Sequence, residues 1–573
     1  MMLDLRERPF TDRGSRLLVM AADDGSLRIA AARYETPLRD TTVLTGLRVL
    51  AGDRELPVRR ALPDRVDFAP GATDRAFDRA SGGTPGGASE GAPDGDDGGD
   101  DGGAAGLAGG VSMAFAGPDT IVLVGTAARA VWDGGHADVD GCLVLVGPAA
   151  GAGPAAAGDV RHVVVPGGPR PDGRAVLQAA GARWRDWFAR MPAVPAELRD
   201  RARQAWWTLA VNLVTIRGRE SLIPSKYGYV GLWNWDSYFH AIALRHADPA
   251  LAREQIRILL DHQRPDGLIP DVVHDHGALA ETTDLPRSDL ARLAQHVGGE
   301  PVREVVPVTK PPLTAWAVWK IHEVDPDPDF LAEVYESLAR SQAWWFARSD
   351  PDGDGLAEYL HPYSSGLDDS PIWDAGPRAE PPDLNSYLAL QYDRLGDIAA
   401  ALGRDPAGWR ARAGALVNLM VTRRWTGSRF VTLVGGREAD VRTPLELLPL
   451  LTGRLPAGIA DRLVADLRSP SFWAERPVPT VAFDDPRFDP DAMWRGPVWL
   501  NVNYLLIEGL RRSGHQETAR ELRDRTLAMV RDGGGLYEYW NPLTGRRAGR
   551  ATSGFGWSAA LFVDLAHDAV LNP

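Results

Sequence analysis

The chain has one cysteine, Cys142, among 573 residues. A lone thiol excludes an internal disulfide framework and a cysteine-based metal site, and it fits a cytoplasmic protein. Basic residues are outnumbered, 63 Lys and Arg against 77 Asp and Glu, giving a formal charge of -14 with no local run of cations to offset it. Such a surface repels a phosphate backbone, so nucleic acid is not an expected partner. Long apolar runs are missing too: none approaches the roughly 20 residues that span a bilayer. Residues 1–10, with Asp4, Arg6, Glu7 and Arg8, lack the n-region and h-region of a signal peptide. No fixed-period repeat is visible, which argues against a simple solenoid.

What is present suits a packed globular protein, with 44% apolar and 24% charged residues. The length exceeds one ordinary core, so two domains are expected. Between about 16 and 165 the chain reads as short β-branched or alternating runs, at 17–20, 120–124, 142–146 and 162–165, separated by Gly, Asp and Pro. Residues 81–110 interrupt them with Gly, Ala, Asp and Pro and almost nothing to bury, so a disordered loop is expected there. After Gly168 the spacing turns helical. Val176, Ala180, Trp184 and Trp187 share one face, and a second helix after Pro195 is expected to carry Ala205, Leu209 and Leu213. Amphipathic stretches follow at 251–263, 313–322, 330–347, 384–401, 409–422, 459–467, 500–513, 516–531 and 557–566. The expected fold is multidomain: a β-rich, sandwich-like domain over 1–168, then a mainly α domain over 169–573, closed as a solenoid or a toroid of helical hairpins.

Nineteen tryptophans are available. Most serve as core, but aromatic faces also stack on sugar rings, and several stand beside acids in short motifs. In Tyr229-Val-Gly-Leu-Trp-Asn-Trp-Asp-Ser-Tyr-Phe-His240, Trp233 and Trp235 accompany Asp236 at the start of a helix. The carboxylate is either an N-cap among core rings or an acceptor for vicinal hydroxyls. Gln263-Arg-Pro-Asp-Gly-Leu-Ile-Pro270 is a turn whose Gln263 either faces a ligand or only closes the turn. His274 and His276 lack a third ligand of suitable spacing and read as a solvated loop. In Ser365-Gly-Leu-Asp-Asp-Ser-Pro-Ile-Trp-Asp374, one of two adjacent carboxyls is either held protonated against aromatic surface, as a general acid requires, or exposed in an Asx-turn. Trp494-Arg-Gly-Pro-Val-Trp-Leu-Asn-Val-Asn-Tyr504 places Trp494 and Trp499 before a helix. Leu536-Tyr-Glu-Tyr-Trp-Asn-Pro-Leu-Thr-Gly545 wedges Glu538 between rings, where an ionised carboxylate needs specific partners. Asp350-Pro-Asp-Gly-Asp-Gly355 imitates the start of a calcium loop, but its twelfth position is His361 rather than Glu. Calcium and a plain Asp/Gly turn both stand as readings of Asp350, Asp352 and Asp354, and no other cofactor is indicated.

Over about 206–565 the order of these motifs resembles glycoside hydrolase family 63, particularly its bacterial mannosylglycerate and glucosylglycerate hydrolase branch. The carriers are Trp-Asp-Ser at 235–237, Gln-x-x-Asp-Gly-x-Ile-Pro at 263–270, Thr-x-Pro-Pro at 309–312, Ser-Gly-x-Asp at 365–368, Trp-Arg-Gly-Pro-x-Trp at 494–499, Glu-Tyr-x-Asn-Pro-x-Thr-Gly at 538–545 and Phe-Gly-Trp at 555–557. The resemblance implies an (α/α)6 toroid, Asp368 as general acid and Glu538 as general base of an inverting hydrolase. It also implies an α-glycosidic bond in a small carbohydrate substrate. Two such carboxyls stand roughly 6.5 to 9.5 Å apart so that water fits between them and the sugar. It further implies sugar contacts from Tyr229, Trp233, Trp235, Asp236, Gln263, Trp373, Trp494, Arg495, Gly496 and Trp499. Lys310 occupies a position where the family usually carries Gln, and Met493 one where Tyr is common; a cation at 310 either meets an anionic group on the substrate or points away. An α-glucosidase for kojibiose-like oligosaccharides is the rival hydrolase. A non-catalytic carbohydrate-binding protein would have no need of both Asp368 and Glu538, and a sugar 2-epimerase would need paired histidines.

Overall fold

The structure, a computed structural model, describes residues 1–68, 110–148, 162–165, 170–285 and 305–573. The stretch expected to be a disordered loop, 81–110, lies outside the described residues except for Gly110. Among the described residues the chain divides into two compact units. One holds Met1–Ala31 and the residues from Leu38 to Asp186; the other holds Ala32–Pro37 and Trp187–Pro573.

The first unit carries ten strands: β1 (Leu17–Ala21), β2 (Leu27–Ala31), β3 (Thr42–Ala51), β4 (Arg54–Glu55), β5 (Val58–Ala61), β6 (Val66–Phe68), β7 (Val111–Gly117), β8 (Thr120–Trp132), β9 (Gly135–Pro148) and β10 (His162–Val164). All pair antiparallel in one connected sheet of order β1-β2-β3-β8-β7-β6-β5, with β9 on β8, β10 on β9 and β4 on β3. Its longest hairpin, β8–β9, closes at Trp132 opposite Gly135 around Asp133-Gly134, a dipeptide suited to a two-residue turn. A register shift between Gly125 and Ala128 bends β8, so that its first half pairs with β7 and its last residues pair with β3. Ile121, Val122, Leu123 and Val146 are fully buried there.

The second unit is mainly helical. Helix α1 (Gly173–Ala189) contains the division between the units; then come α2 (Arg199–Val211), α3 (Asn234–Leu244), α4 (Pro249–Asp261), α5 (Thr314–Val324), α6 (Pro328–Arg348), α7 (Pro382–Ala401), α8 (Ala407–Arg424), α9 (Ala457–Leu467), α10 (Leu500–Arg512), α11 (Gln516–Asp532) and α12 (Gly556–Leu571). Two starts are written plainly in the sequence. Asp248 accepts from Leu251 N–H at 3.0 Å and Asp327 from Phe330 N–H at 2.9 Å, each followed by Pro at the first helical position. The second expected helix is shorter than its spacing suggests: α2 ends at Val211, and Leu213 opens the strand Leu213–Ile216. The run Val214, Thr215, Ile216 is β-branched, and pairing with Arg219–Leu222 overrides the fourfold apolar spacing.

Helix packing is orderly. α3 packs on α5, α5 on α7, α7 on the 3-10 segment Pro444–Thr452, that segment on α10, α10 on α12, and α12 on α3. The other helices that follow α1 pack on these: α2 on α12, α4 on α3 and α5, α6 on α7 and α5, α8 on α7, α9 on Pro444–Thr452, and α11 on α10 and α12. All eleven residues of α3 are buried, as expected for a helix enclosed on every side. Trp187 and Trp206 stack at 4.8 Å, each indole N–H donating to the other's carbonyl at 2.8 Å. Among the described residues no helix is long and apolar enough to cross a membrane.

Candidate active site

Five loops that precede helices or turns converge in the helical unit. Trp233, extended at φ -69 and ψ 138, leads into α3, which puts Asp236 in the first turn rather than at the N-cap. Burial is the main influence on Asp236 and raises its pKa well above the ordinary carboxyl value; Lys310 opposes that rise, while Asp271 and Glu538 add to it.

The loop bearing Asp368 is pinned on both sides. Ser365 Oγ donates to Pro362 O at 2.6 Å and accepts from Leu367 N–H at 3.0 Å. Leu367 O accepts from the Trp373 indole at 2.8 Å, and Asp369 Oδ1 accepts from Trp494 N–H at 2.9 Å. Between them Gly366 has φ 72, and a Cβ there would overlap the ring of Trp235. Only glycine satisfies both demands. The Asp368 side chain retains 32% of its exposure, so it is half-open while its backbone is fixed.

Glu538 is buried. Its N–H donates to Thr552 O at 2.8 Å, its Oε2 accepts from Thr552 N–H at 3.0 Å, and its Oε1 accepts from Tyr229 Oη at 3.4 Å. The following turn explains the Asn-Pro-x-Thr-Gly pattern: Asn541 Oδ1 accepts from Leu543 N–H at 2.9 Å and Thr544 N–H at 3.1 Å, an Asx-turn that Gly545 closes at φ 67. Burial pushes the Glu538 carboxyl up to about 7, with the Thr552 and Tyr229 hydrogen bonds favouring its ionised form and the Asp368 charge disfavouring it. Tyr229 completes the link. Its phenol is raised well above its usual value, first by Glu538, then by burial, then by Glu35 and Asp368. Asp368 and Glu538 therefore act on each other and on one tyrosine, although they come from distant parts of the chain.

Only three lysines occur in the whole sequence, Lys226, Lys310 and Lys320. Lys310 is buried; its ammonium donates to Tyr363 O at 2.7 Å and lies 3.1 Å from Asp271 and 3.9 Å from Asp368. Burial opposes its charge, yet Asp271, Asp368 and Asp236 together hold its pKa above the usual lysine value. Its neighbour Thr309 is fixed by bonds to Ser364 Oγ at 3.2 Å and Ile269 O at 2.6 Å.

The aromatic residues separate into two groups. Tyr229 and Trp233 are half-buried and meet edge to face at 5.6 Å. Trp235, Trp373, Trp494 and Trp499 are buried, and Trp494 lies flat on Trp499 at 3.5 Å, with Trp557 edge-on to Trp235 at 5.2 Å. These four are packed away from solvent, whereas Tyr229 and Trp233 keep part of their surface open. Gln263 and Arg495 have partners of their own. The Gln263 amide donates to Gly267 O at 3.0 Å and Ser337 O at 2.8 Å and accepts from Arg340 at 2.8 Å; Arg495 pairs with Asp374. Gly496 N–H donates to Thr480 Oγ at 3.0 Å. Asn503, buried on α10, spends its amide on Pro477 O at 2.8 Å, Thr526 Oγ at 2.9 Å and Val478 N–H at 3.0 Å.

His274 is not in a solvated loop: it ends the strand Val272–His274 of a short hairpin and is half-buried. Asp350, Asp352 and Asp354 bring carboxylate oxygens within 4.8 Å of one another. Arg424 already sits 2.9 Å from Asp354, and Asp350 accepts from Gly355 N–H at 3.1 Å. The twelfth-position His361 instead accepts from Tyr363 N–H at 3.1 Å.

Sequence reasoning missed Asp271, Thr552, Tyr363 and Tyr34 as neighbours of these groups. Asp271 stands directly after Ile269-Pro270, so the motif pointed beside it; the other three carry no local signal.

The family model for the mannosylglycerate hydrolase MGH1-like glycoside hydrolase domain matches residues 229–558, a span that contains every one of these loops. A mannosylglycerate hydrolase of Thermus thermophilus is 29% identical over 412 residues, 59% of this chain and 95% of the relative. A glucosylglycerate hydrolase of Mycolicibacterium hassiacum is 25% identical over 413 residues, 59% of this chain and 92% of the relative. The crystal structure of a family 63 mannosylglycerate hydrolase, also from Thermus thermophilus and in complex with Tris and D-glycerate, superposes with a TM-score of 0.53 at 26% identity, covering 63% of this chain and 98% of that one. The convergent carboxyls and these likenesses define a glycoside hydrolase. The chain belongs to the MGH1-like glycoside hydrolase domain family.

Proposed function

We propose that the protein is an inverting hydrolase of small α-glycosides, with a glucoside or mannoside of glycerate as the substrate class. The observation that carries this reading is a buried Glu538 bonded to the Tyr229 hydroxyl, with the half-open Asp368 near enough for its charge to bear on both. Asp368, half-open, donates its proton to the glycosidic oxygen as the bond from that oxygen to the anomeric carbon breaks. Glu538 takes a proton from a water whose oxygen bonds to the anomeric carbon from the opposite face. The products are a sugar of inverted anomer and a free hydroxyl on the leaving group. A base with a pKa near 7 is ionised for much of the time near neutrality and still accepts a proton in the transition state. Tyr229, Trp233 and Asp236 would hold the sugar, with Trp235, Trp373, Trp494 and Trp499 shaping the surface beneath it. Relatives named for mannosylglycerate and glucosylglycerate support the substrate class.

The helical unit is read as an (α/α)6 toroid. The closed succession α3, α5, α7, Pro444–Thr452, α10, α12 and back to α3, with one outer partner or more on each, supports that reading. A two-domain division near 168, a sandwich-like first unit and a cytoplasmic setting, the last resting on the single cysteine, belong to the same proposal. The test is a hydrolysis panel of α-glucosyl and α-mannosyl glycerate, kojibiose, trehalose and isomaltose, with the first-formed anomer read by NMR. A β-anomer from one of the glycerate glycosides is expected, and retention or hydrolysis of none of the five overturns the reading.

A further inference from the structure

The six residues after β2 belong to the helical unit. They form a tight turn: Arg33 and Thr36 make an isolated bridge, Thr36 Oγ donates to Tyr34 O at 2.9 Å, and Glu35 takes a left-handed φ of 47. A non-glycine residue is held in that region only where its surroundings over-determine it. Here the anchor is Glu35 N–H, which donates to Gly228 O at 3.2 Å, next to Tyr229.

Tyr34 is half-buried and lies flat on His274, with ring centroids 4.4 Å apart and planes 8° from parallel. Its ring also tilts against Trp233 at 5.8 Å. Tyr34, Trp233 and Tyr363 pack together on the buried cluster Val272, Leu279, Leu285 and Val308. Trp233 in turn meets Tyr229 edge to face, and Tyr229 reaches Glu538. A continuous set of contacts therefore runs from Tyr34 through Trp233 to the residue that contacts the candidate base. Tyr34 lies far upstream of 229–558, the stretch that the family model matches.

We propose that Tyr34 is a positioning residue for the sugar pocket, bracing Trp233 at the angle at which its half-open face stacks on a pyranose ring. The proposal rests on the hydrolase reading for its substrate but not for its geometry. An aromatic platform binds a sugar through a face held at one inclination, and lost bracing weakens binding more than it slows the chemistry between Asp368 and Glu538.

The test uses the full chain with Tyr34→Ala, Tyr34→Phe and a distant control, Tyr392→Ala, which removes a ring stacked on Phe346. KM and kcat are measured on whichever α-glycoside the wild type hydrolyses, and glucose affinity is measured by calorimetry. Tyr34→Ala is expected to raise KM and the glucose Kd by about tenfold while kcat stays within about threefold. Tyr34→Phe, which keeps the ring, is expected to hold both within about threefold of wild type, and Tyr392→Ala to alter Tm without moving either. An unchanged KM and Kd in Tyr34→Ala, or a KM change reproduced by Tyr392→Ala, overturns the bracing role. If the wild type binds glucose but hydrolyses no α-glycoside, the hydrolase reading fails while the titration still decides on Tyr34. A wild type that binds neither glucose nor mannose overturns the bracing role, while the hydrolysis panel decides separately on the hydrolase reading.

Discussion

Replacing Lys310 by Gln removes a buried charge from beside the candidate general acid while leaving a side chain of similar reach. The ammonium lies 3.9 Å from Asp368 Oδ1, and at an effective dielectric of about 20 that attraction amounts to at most about 4 kcal/mol. Asp271, at 3.1 Å from the same ammonium, keeps its place in both proteins and so does not offset that loss. Solvent at the partly exposed Asp368 screens part of it. A cation beside a carboxyl favours its ionised form, so without Lys310 the carboxyl of Asp368 keeps its proton to higher pH. The alkaline limb of kcat/KM should therefore move to higher pH, by an amount set by the part of that attraction that solvent leaves unscreened. The acid limb should move less, since Lys310 is not among the main influences on Glu538. The assay is sugar release from about pH 4 to about 10 for the wild type, Lys310→Gln and Lys310→Arg, the last keeping the charge and the alkaline limb. Loss of Lys310 also leaves Asp271 and Asp236 buried without their cation, so Tm should fall by several degrees. The limb position is independent of that loss. An alkaline limb that stays put, or moves down, refutes the argument that Lys310 acts electrostatically on Asp368.

Further outcomes are expected. Glu538→Gln and Asp368→Asn should each lower kcat by at least about a thousandfold with the sugar still bound, as read by rate assay and by calorimetry with intact substrate. The acid limb of the wild-type profile should bend near pH 7, because the proposed base Glu538 acts in its ionised form and burial lifts its carboxyl to about 7; a rate that stays level two units lower would contradict that. Trp494→Ala removes one partner of a buried stack and should cost about 3 to 5 kcal/mol of stability, read by denaturant unfolding. Asp564 is buried, which disfavours its charge, yet Arg245 and His246 hold its pKa well below the carboxylate range. A depressed folded-state pKa gives stability that is present above the unfolded value of about 4 and is lost as pH falls toward the folded one. Asp564→Asn should therefore destabilise strongly at pH 7 and much less in acid, as followed by Tm across pH.

The periodic parts of the fold are legible in the amino-acid order alone. Apolar spacing located α6, α7 and α11 to within two residues at most ends, because a helix face is a local property of a sequence. The exception is instructive: Leu213 keeps the helical spacing, but pairing with Leu222 draws it into a strand. The candidate carboxyls Asp368 and Glu538 are singled out by a different route, motif order, and the turns that carry them rest on residues whose conformations are chemically obliged, Gly366 under Trp235 and Asn541 in its Asx-turn. What the motifs do not encode is how side chains divide between open pocket and floor. Gln263 and Arg495 stand in the right stretches, yet their polar groups bond to Ser337, Gly267, Arg340 and Asp374, partners whose proximity depends on how helices pack. Asp271 and Tyr34 became neighbours of the site for the same reason.

By itself, then, the sequence determined which segments coil, which extend, and which loops bear acids among aromatic rings, since each depends on residues a few positions apart. Tertiary structure alone decided that Lys310 lies among three carboxylates, that burial lifts the Glu538 carboxyl toward neutrality, and that Tyr34, in a turn at 32–37, meets Trp233. Burial and charge are fields summed over every packed neighbour, and no local run of residues carries that sum.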